Sequence, residues 1–169
     1  QPIEQLSGLR AIPNLNVFRP ADTIETFECW QLALDNLKSP SILALTRQNL
    51  EPIRKEHVKE NKCSLGAYEV FRSQQDIQLA IFASGSEVNL ALEVCHKLAT
   101  DNIYSKVISV PSQEIFEQQT VAYKKDVLNE ANFTITIEAG STNNWHKFVK
   151  NKGLNFGIDD FGKSAPYKE

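Results

Sequence analysis

Leu79-Ala80-Ile81-Phe82-Ala83-Ser84-Gly85-Ser86 decides the fold. Its first five residues are all apolar, with none of the alternation of a half-exposed strand, so they read as a strand. Ser84-Gly85-Ser86 turns the chain. Val88, Ala91, Leu92, Cys95, Leu98 and Ala99 then recur at helical spacing. Lys106-Val107-Ile108-Ser109-Val110 is the next strand, and Pro111-Ser112 caps a helix carrying Ile115 and Phe116. Phe133–Ile137 reads as a third strand and Phe156-Gly157-Ile158 as a fourth. Strands separated by helices predict an α/β fold: a mainly parallel sheet with helices on both faces.

Upstream, residues 51–68 change character. Glu51, Arg54, Lys55, Glu56, His57, Lys59, Glu60 and Lys62 crowd together with few large apolar neighbours, which reads as a solvated linker. Before it, helix and strand alternate again. Pro2 opens a short helix, and Asn16-Val17-Phe18-Arg19 is a short strand stopped by Pro20. Asp22 followed by Glu25 is a variant of the capping box. Ile24, Phe27, Trp30, Leu34 and Leu37 then give one face of a helix, expected to be buried. Pro40 ends it. Ile42–Leu45 is a continuous apolar run, expected to be a strand covered on both faces, and it delivers Thr46, Arg47 and Gln48 at its carboxyl end. The chain divides into an α/β piece at 1–50, a linker at 51–68 and a second α/β unit at 69–169.

Composition narrows the function. Hydrophobic residues make up 41% and charged residues 23%, enough apolar material for a core. A net charge of −3 without a basic run argues against a general nucleic-acid binder. The apolar stretches are strand-length, so no membrane span is expected. Gln1–Leu6 lacks the basic start and apolar centre of a signal peptide. The chain contains no methionine, so Gln1 is expected to be an interior position of a longer protein. Cys29, Cys63 and Cys95 are too far apart for a metal knuckle or redox motif; an odd count suits reduced thiols in a cytoplasmic compartment. His57, His96 and His146 have no ligand partner at helical spacing.

Ligands of open α/β sheets gather beyond the carboxyl ends of the strands. Arg47 sits at such an end, in a chain with 13 lysines and only 5 arginines. A guanidinium grips phosphate or carboxylate with two parallel bonds, which an ammonium cannot do. Position alone leaves that reading level with a structural salt bridge. Glu138 follows Phe133–Ile137, where it would hold a cation or, as the plainer reading has it, anchor the turn by hydrogen bonds. Ser84-Gly85-Ser86-Glu87 lacks the three glycines of a phosphate cradle and reads as a strand-to-helix turn. There is no HExxH, no GxSxG and no Gly-Asp-Gly run.

Several blocks nonetheless form an ordered set. Gln1-Pro2-Ile3-Glu4-Gln5-Leu6, Leu9-Arg10-Ala11-Ile12-Pro13-Asn14 and Val17-Phe18-Arg19-Pro20-Ala21-Asp22 come first. Ala44-Leu45-Thr46-Arg47-Gln48-Asn49-Leu50, Gly66-Ala67-Tyr68 and Phe82-Ala83-Ser84-Gly85-Ser86-Glu87-Val88 follow. Ser109-Val110-Pro111-Ser112, Ile137-Glu138-Ala139-Gly140-Ser141-Thr142 and Phe161-Gly162-Lys163-Ser164-Ala165-Pro166 complete it. In this order and spacing they resemble the transketolase family over essentially the whole chain.

The resemblance implies the end of a thiamine-diphosphate pyrimidine-binding domain followed by most of a transketolase C-terminal domain. It implies a cytoplasmic homodimer of the pentose phosphate pathway. That enzyme moves a two-carbon ketol unit from a ketose phosphate to an aldose phosphate, using thiamine diphosphate and a divalent metal, magnesium or calcium. The cofactor supplies the electron sink. The family's cofactor, metal and catalytic residues lie before Gln1, and a final stretch lies beyond Glu169. This chain alone is therefore expected to bind no cofactor or metal and to be inactive. Of the functional residues, only the substrate-phosphate arginine falls here, on Arg47. Two alternatives stand beside this. One is another thiamine-diphosphate enzyme of the same architecture, a deoxyxylulose-phosphate synthase or a 2-oxo acid dehydrogenase beta subunit, against which Thr46–Leu50 speaks. The other is a non-catalytic module that binds a partner or effector.

Overall fold

The computed structural model describes residues 3–56, 58–73, 76–129, 131–149 and 152–162. The readings made at Gln1, Pro2, His57 and 163–169 lie outside them. The N-terminal part runs α1 (Gln5–Arg10), β1 (Asn16–Phe18), α2 (Thr23–Asp35) and β2 (Ser41–Leu43). The remainder runs β3 (Tyr68–Arg72), β4 (Leu79–Ala83), α3 (Glu87–Thr100), β5 (Ser105–Ser109), α4 (Gln113–Glu117), α5 (Val121–Asn129), β6 (Phe133–Ile137) and β7 (Gly153–Phe156).

β4, the strand that opened the sequence reading, is the middle of a five-stranded sheet of order β3-β5-β4-β6-β7. β4 pairs in parallel with both β5 and β6, and β7 is parallel to β6. Only β3 runs antiparallel, at an edge, with a register shift between Glu69 and Phe71. Ile81, Ala83 and Val107 meet Val88, Ala91 and Cys95 of α3 on one face. On the other face Phe82, Ile108 and Val110 meet Phe116, Val127, Trp145 and Phe148. Phe148 is the centre of that second layer: Trp145, Phe82 and Phe116 have ring centroids 5.3, 5.4 and 5.6 Å from it. Large rings in offset or edge contact fill the space under a sheet with little polar cost. The predicted architecture, helices on both faces of a mainly parallel sheet, is the observed one.

The structure differs from the sequence reading in five places. β3 was not anticipated as a strand; its Glu69 and Arg72 are ion-paired at 2.7 Å, the usual charged dressing of an edge strand. α5 was not anticipated, because Lys124, Lys125 and Asp126 leave it little apolar stripe. The last strand ends at Phe156, where its pairing with Ile137 stops, instead of running to Ile158. β2 is half-buried along its length, not covered on both faces.

The fifth difference is α2. Its expected buried face is the outer one: Phe27 is 72%, Leu34 68% and Leu37, just past the helix, 93% exposed. Glu25, Glu28 and Cys29 are buried in its place. The reason is the donors that await them. Glu25 accepts from Tyr68 Oη at 2.7 Å, Ser109 Oγ at 2.6 Å and Ala21 N at 2.7 Å. Glu28 accepts from Cys63 N at 3.0 Å and pairs with Arg54 at 2.7 Å. Carboxylates so fully bonded can be buried, and their bonds turn the apolar stripe outward.

Candidate functional site

In a parallel sheet whose strand order reverses, the crevice beyond the carboxyl ends at the point of reversal is the usual ligand place. Here that point is the end of β4, flanked by β5 and β6. It is occupied by the chain itself. Arg19, which follows β1, enters the crevice and pairs with Glu138, one residue past β6. Its Nη2 also contacts Glu87 Oε2 at 2.6 Å. Ser84, one residue past β4, donates to Glu138 Oε2 at 2.8 Å, and Arg10 Nη1 lies 3.7 Å from the same oxygen. Backbone bonds tie Arg19 down as well: its N–H donates to Pro111 O at 2.8 Å and its carbonyl accepts from Gly85 N at 3.0 Å.

This packing explains a glycine. Gly85 has φ +59°, and a Cβ there would stand 2.7 Å from Arg19 Nε. The Ser84-Gly85-Ser86 turn is therefore shaped to admit an arginine from the N-terminal part. Burial lowers the pKa of Arg19, and the charge of Glu87 opposes that shift. Arg10 is lowered by burial too, against Glu114, and its guanidinium stacks 5.7 Å over Trp145. Of the two readings of Glu138, anchor and cation ligand, the contacts are those of an anchor, and it reaches across the molecule. Sequence reasoning missed Arg10 and Arg19. Their scarcity as arginines was the available signal, but their partners are remote in sequence.

Arg47 stands apart from this. It is exposed, in a bend a few residues beyond the carboxyl end of β2. Four of the five arginines are paired with carboxylates: Arg10 and Arg19 with Glu138, Arg54 with Glu28, Arg72 with Glu69. Arg47 has no hydrogen-bond or ion-pair partner among the described residues. The structural salt bridge weighed against phosphate binding is thus not formed there. A groove of about 310 Å³ lies between the Arg47 loop and the second unit, lined by Thr46 and Gln48 on one side and by Ser86 and Glu87 on the other.

The remaining sequence candidates are structural. Cys29, Cys63 and Cys95 are free and buried. His96 packs edge-on to Phe71 at 5.2 Å, and His146 Nδ1 lies 3.0 Å from Asn155 Nδ2. Among the described residues no three His, Cys, Asp or Glu side chains come together to hold a metal ion. No helix among them is long and apolar enough to cross a membrane. In the stretch read as a linker, Ile53 packs with Ala21 against α3, and Arg54 stacks 5.4 Å over Tyr68.

Comparison with known proteins adds to this geometry. The family described as "Transketolase, pyrimidine binding domain" matches residues 1–52, and the "Transketolase-like TK C-terminal domain" matches residues 66–169. A transketolase of Staphylococcus epidermidis is 46% identical over 168 residues, which is 98% of this chain and 25% of the relative. A probable transketolase of Streptococcus pneumoniae is 44% identical over 167 residues, with the same coverage. The chain spans about a quarter of the length of the curated relatives it matches. Among solved structures, a Pichia stipitis transketolase variant in complex with fructose 6-phosphate superposes with a TM-score of 0.86 at 38% identity, covering 96% of this chain and 23% of that one. The Campylobacter jejuni transketolase gives 0.85 at 38% identity, covering 97% and 24%.

Proposed function

The chain belongs to the transketolase family, and on that premise we propose that it serves as the C-terminal part of an enzyme that moves a two-carbon ketol unit between sugar phosphates. Thiamine diphosphate, the cofactor of the family, is the electron sink of that reaction. We place thiamine diphosphate and its magnesium or calcium ion with the rest of that enzyme, and the part played by this chain at the substrate end. We assign residues 1–50 to the pyrimidine-binding domain, 51–68 to the connection and 69–169 to the C-terminal domain. A cytoplasmic homodimer acting in the pentose phosphate pathway is the setting we propose.

Within it, Arg47 binds the phosphate of the sugar substrates. The observation that carries this is its isolation: it is the arginine left exposed and without a carboxylate, beyond a strand's carboxyl end. An unpaired guanidinium keeps its fork free for a phosphate. The phosphate is remote from the bond that breaks, so its grip is felt alike in the ground and transition states and shows in KM. In the full-length enzyme, Arg47→Ala should raise KM for phosphorylated donors about ten- to a hundredfold, the loss of roughly 1.5–3 kcal/mol expected for a charge-assisted pair. Hydroxypyruvate, an unphosphorylated donor, should be spared. Arg47→Lys should recover part of the loss. Equal damage with both kinds of donor would refute the assignment.

A further inference from the structure

The loop that carries Arg47 is pinned at both ends to one short stretch of chain, at Phe18 and Asp22. At its start, Ala44 N donates to Phe18 O at 2.8 Å. At its end, Ile53 N donates to Asp22 Oδ2 at 2.9 Å. Asp22 is itself buried and held. Its other oxygen, Oδ1, accepts from Glu25 N at 2.7 Å, fixing the carboxylate at the first turn of α2. Between the pins the loop has little beneath it. A hollow of about 300 Å³ lies under it, floored by Ala21, Asp22, Thr23 and Thr26. Its inner bond is local, from Gln48 N to Thr46 Oγ1 at 3.1 Å. A loop without a packed underside takes its position from its anchors.

We propose that Asp22 is a positioning residue for sugar-phosphate recognition: by clamping the end of the Ala44–Ile53 loop to the start of α2, it sets where the Arg47 guanidinium stands. The proposal rests on the reading of Arg47 given above. Two-point recognition of a phosphate demands placement, and an error of about 1 Å can cost on the order of 10²-fold. A carboxylate suits the position because it presents two acceptors to two backbone amides at once. Asparagine has one acceptor and would turn N–H toward N–H at the other amide. The second unit takes part too: Asn89 Nδ2 of α3 donates to Glu51 O at 3.3 Å, bracing the same end of the loop.

The test separates the two roles of Asp22. Serine is a good helix cap, so Asp22→Ser keeps an acceptor for Glu25 N while its short hydroxyl leaves Ile53 N unclamped. In the full-length enzyme, KM for phosphorylated ketose donors should rise roughly three- to thirtyfold, less than the 10²-fold of a full 1 Å misplacement. Turnover of hydroxypyruvate is the internal comparison and should change far less. The variant pair Asp22→Ser with Arg47→Ala should be no worse than Arg47→Ala alone, because Asp22 acts through Arg47. Equal losses with both donors would make Asp22 merely structural and overturn the proposal, as would additive losses in the pair. A wild-type KM in Asp22→Ser beside a donor-selective defect in Arg47→Ala would overturn it while leaving the Arg47 assignment intact. If Arg47→Ala shows no donor selectivity, both readings fall. Should Asp22→Ser not fold, Asp22→Asn, of equal size, is expected to give the same selective rise in KM.

Discussion

α2 and α3 are 13 and 14 residues long, and each carries an apolar stripe at helical spacing, yet they bury opposite kinds of face. α3 buries Val88, Ala91 and Cys95 against the sheet. α2 buries Glu25, Glu28 and Cys29 and turns Phe27 and Leu34 to the outside. Spacing establishes that a stripe exists. Which face is buried depends on what the opposite surface offers, and tertiary neighbours supply that. Opposite α3 lie the apolar side chains of Ile81, Ala83 and Val107. Opposite α2 lie Tyr68, Ser109, Arg54 and the amide of Cys63, all donors.

The sharpest way to break this contrast is to put a carboxylate on the buried face of α3, as α2 already has on its own. Ala91→Asp places a charge on the α3 face that packs against Ile81, Ala83 and Val107. The cost should exceed about 4 kcal/mol, a large share of the roughly 5–15 kcal/mol that keeps an ordinary domain folded. Circular dichroism of the purified variant should show the cooperative transition moved to much lower temperature or lost. If Ala91→Asp folded with near-native stability, α3 would not be buried as described.

The same contrast explains what was legible. β4 and α3 could be read because both faces of the strand, and one of the helix, meet apolar neighbours, so burial follows hydrophobicity; β6 was legible as a strand from its residue types, but there Thr134 and Thr136 are buried and Phe133 is exposed. The Asp22 and Ser112 caps were legible because capping is local: each accepts the amide three residues on, at 2.7 and 3.4 Å. β3 and α5 were hidden by charges that edge strands and surface helices tolerate. The Arg19–Glu138 pair joins residues remote in sequence, and no local pattern announces it. At the candidate site, the shortage of arginines pointed to Arg47, and resemblance gave it a role. Asp22 was legible only as a cap, since its second oxygen serves an amide far along the sequence.

A pH measurement sharpens the α2 side. A glutamate carboxyl ordinarily titrates near 4.5, and burial lifts Glu25 to about 6, against the pull of its bonds from Ser109, Tyr68 and Ala21. Between those values the folded protein keeps a proton on Glu25 that the unfolded chain has released. Unfolding there sets a proton free, so this group's contribution to stability falls as pH rises through the window and is flat above it. The swing is about 2 kcal/mol. Glu25→Gln cannot titrate. Urea unfolding of both proteins should show the stability difference moving against the wild type from about pH 4.5 to about pH 6.5, then holding constant. A difference independent of pH would mean that Glu25 titrates alike in the folded and unfolded chains, its burial offset more fully than its neighbours suggest.

The smallest expected effect tests the outer stripe of α2. Phe27→Ser and Leu34→Ser each remove a large apolar side chain that is 72% and 68% exposed, respectively. A side chain already in water has little transfer free energy to lose, and serine is a slightly poorer helix former than leucine and level with phenylalanine. Each change should therefore shift stability by less than about 0.5 kcal/mol in urea unfolding. It should also lower the tendency of the protein to self-associate, because an apolar stripe on a surface is adhesive. The comparison with α3 makes the magnitude decisive. Truncating a buried large apolar side chain costs about 2–5 kcal/mol, well outside the range for an exposed one. A loss of that size at Phe27 or Leu34 would show that the stripe is covered in solution, and α2 would then be buried on both faces, its carboxylates on one side and its apolar residues on the other.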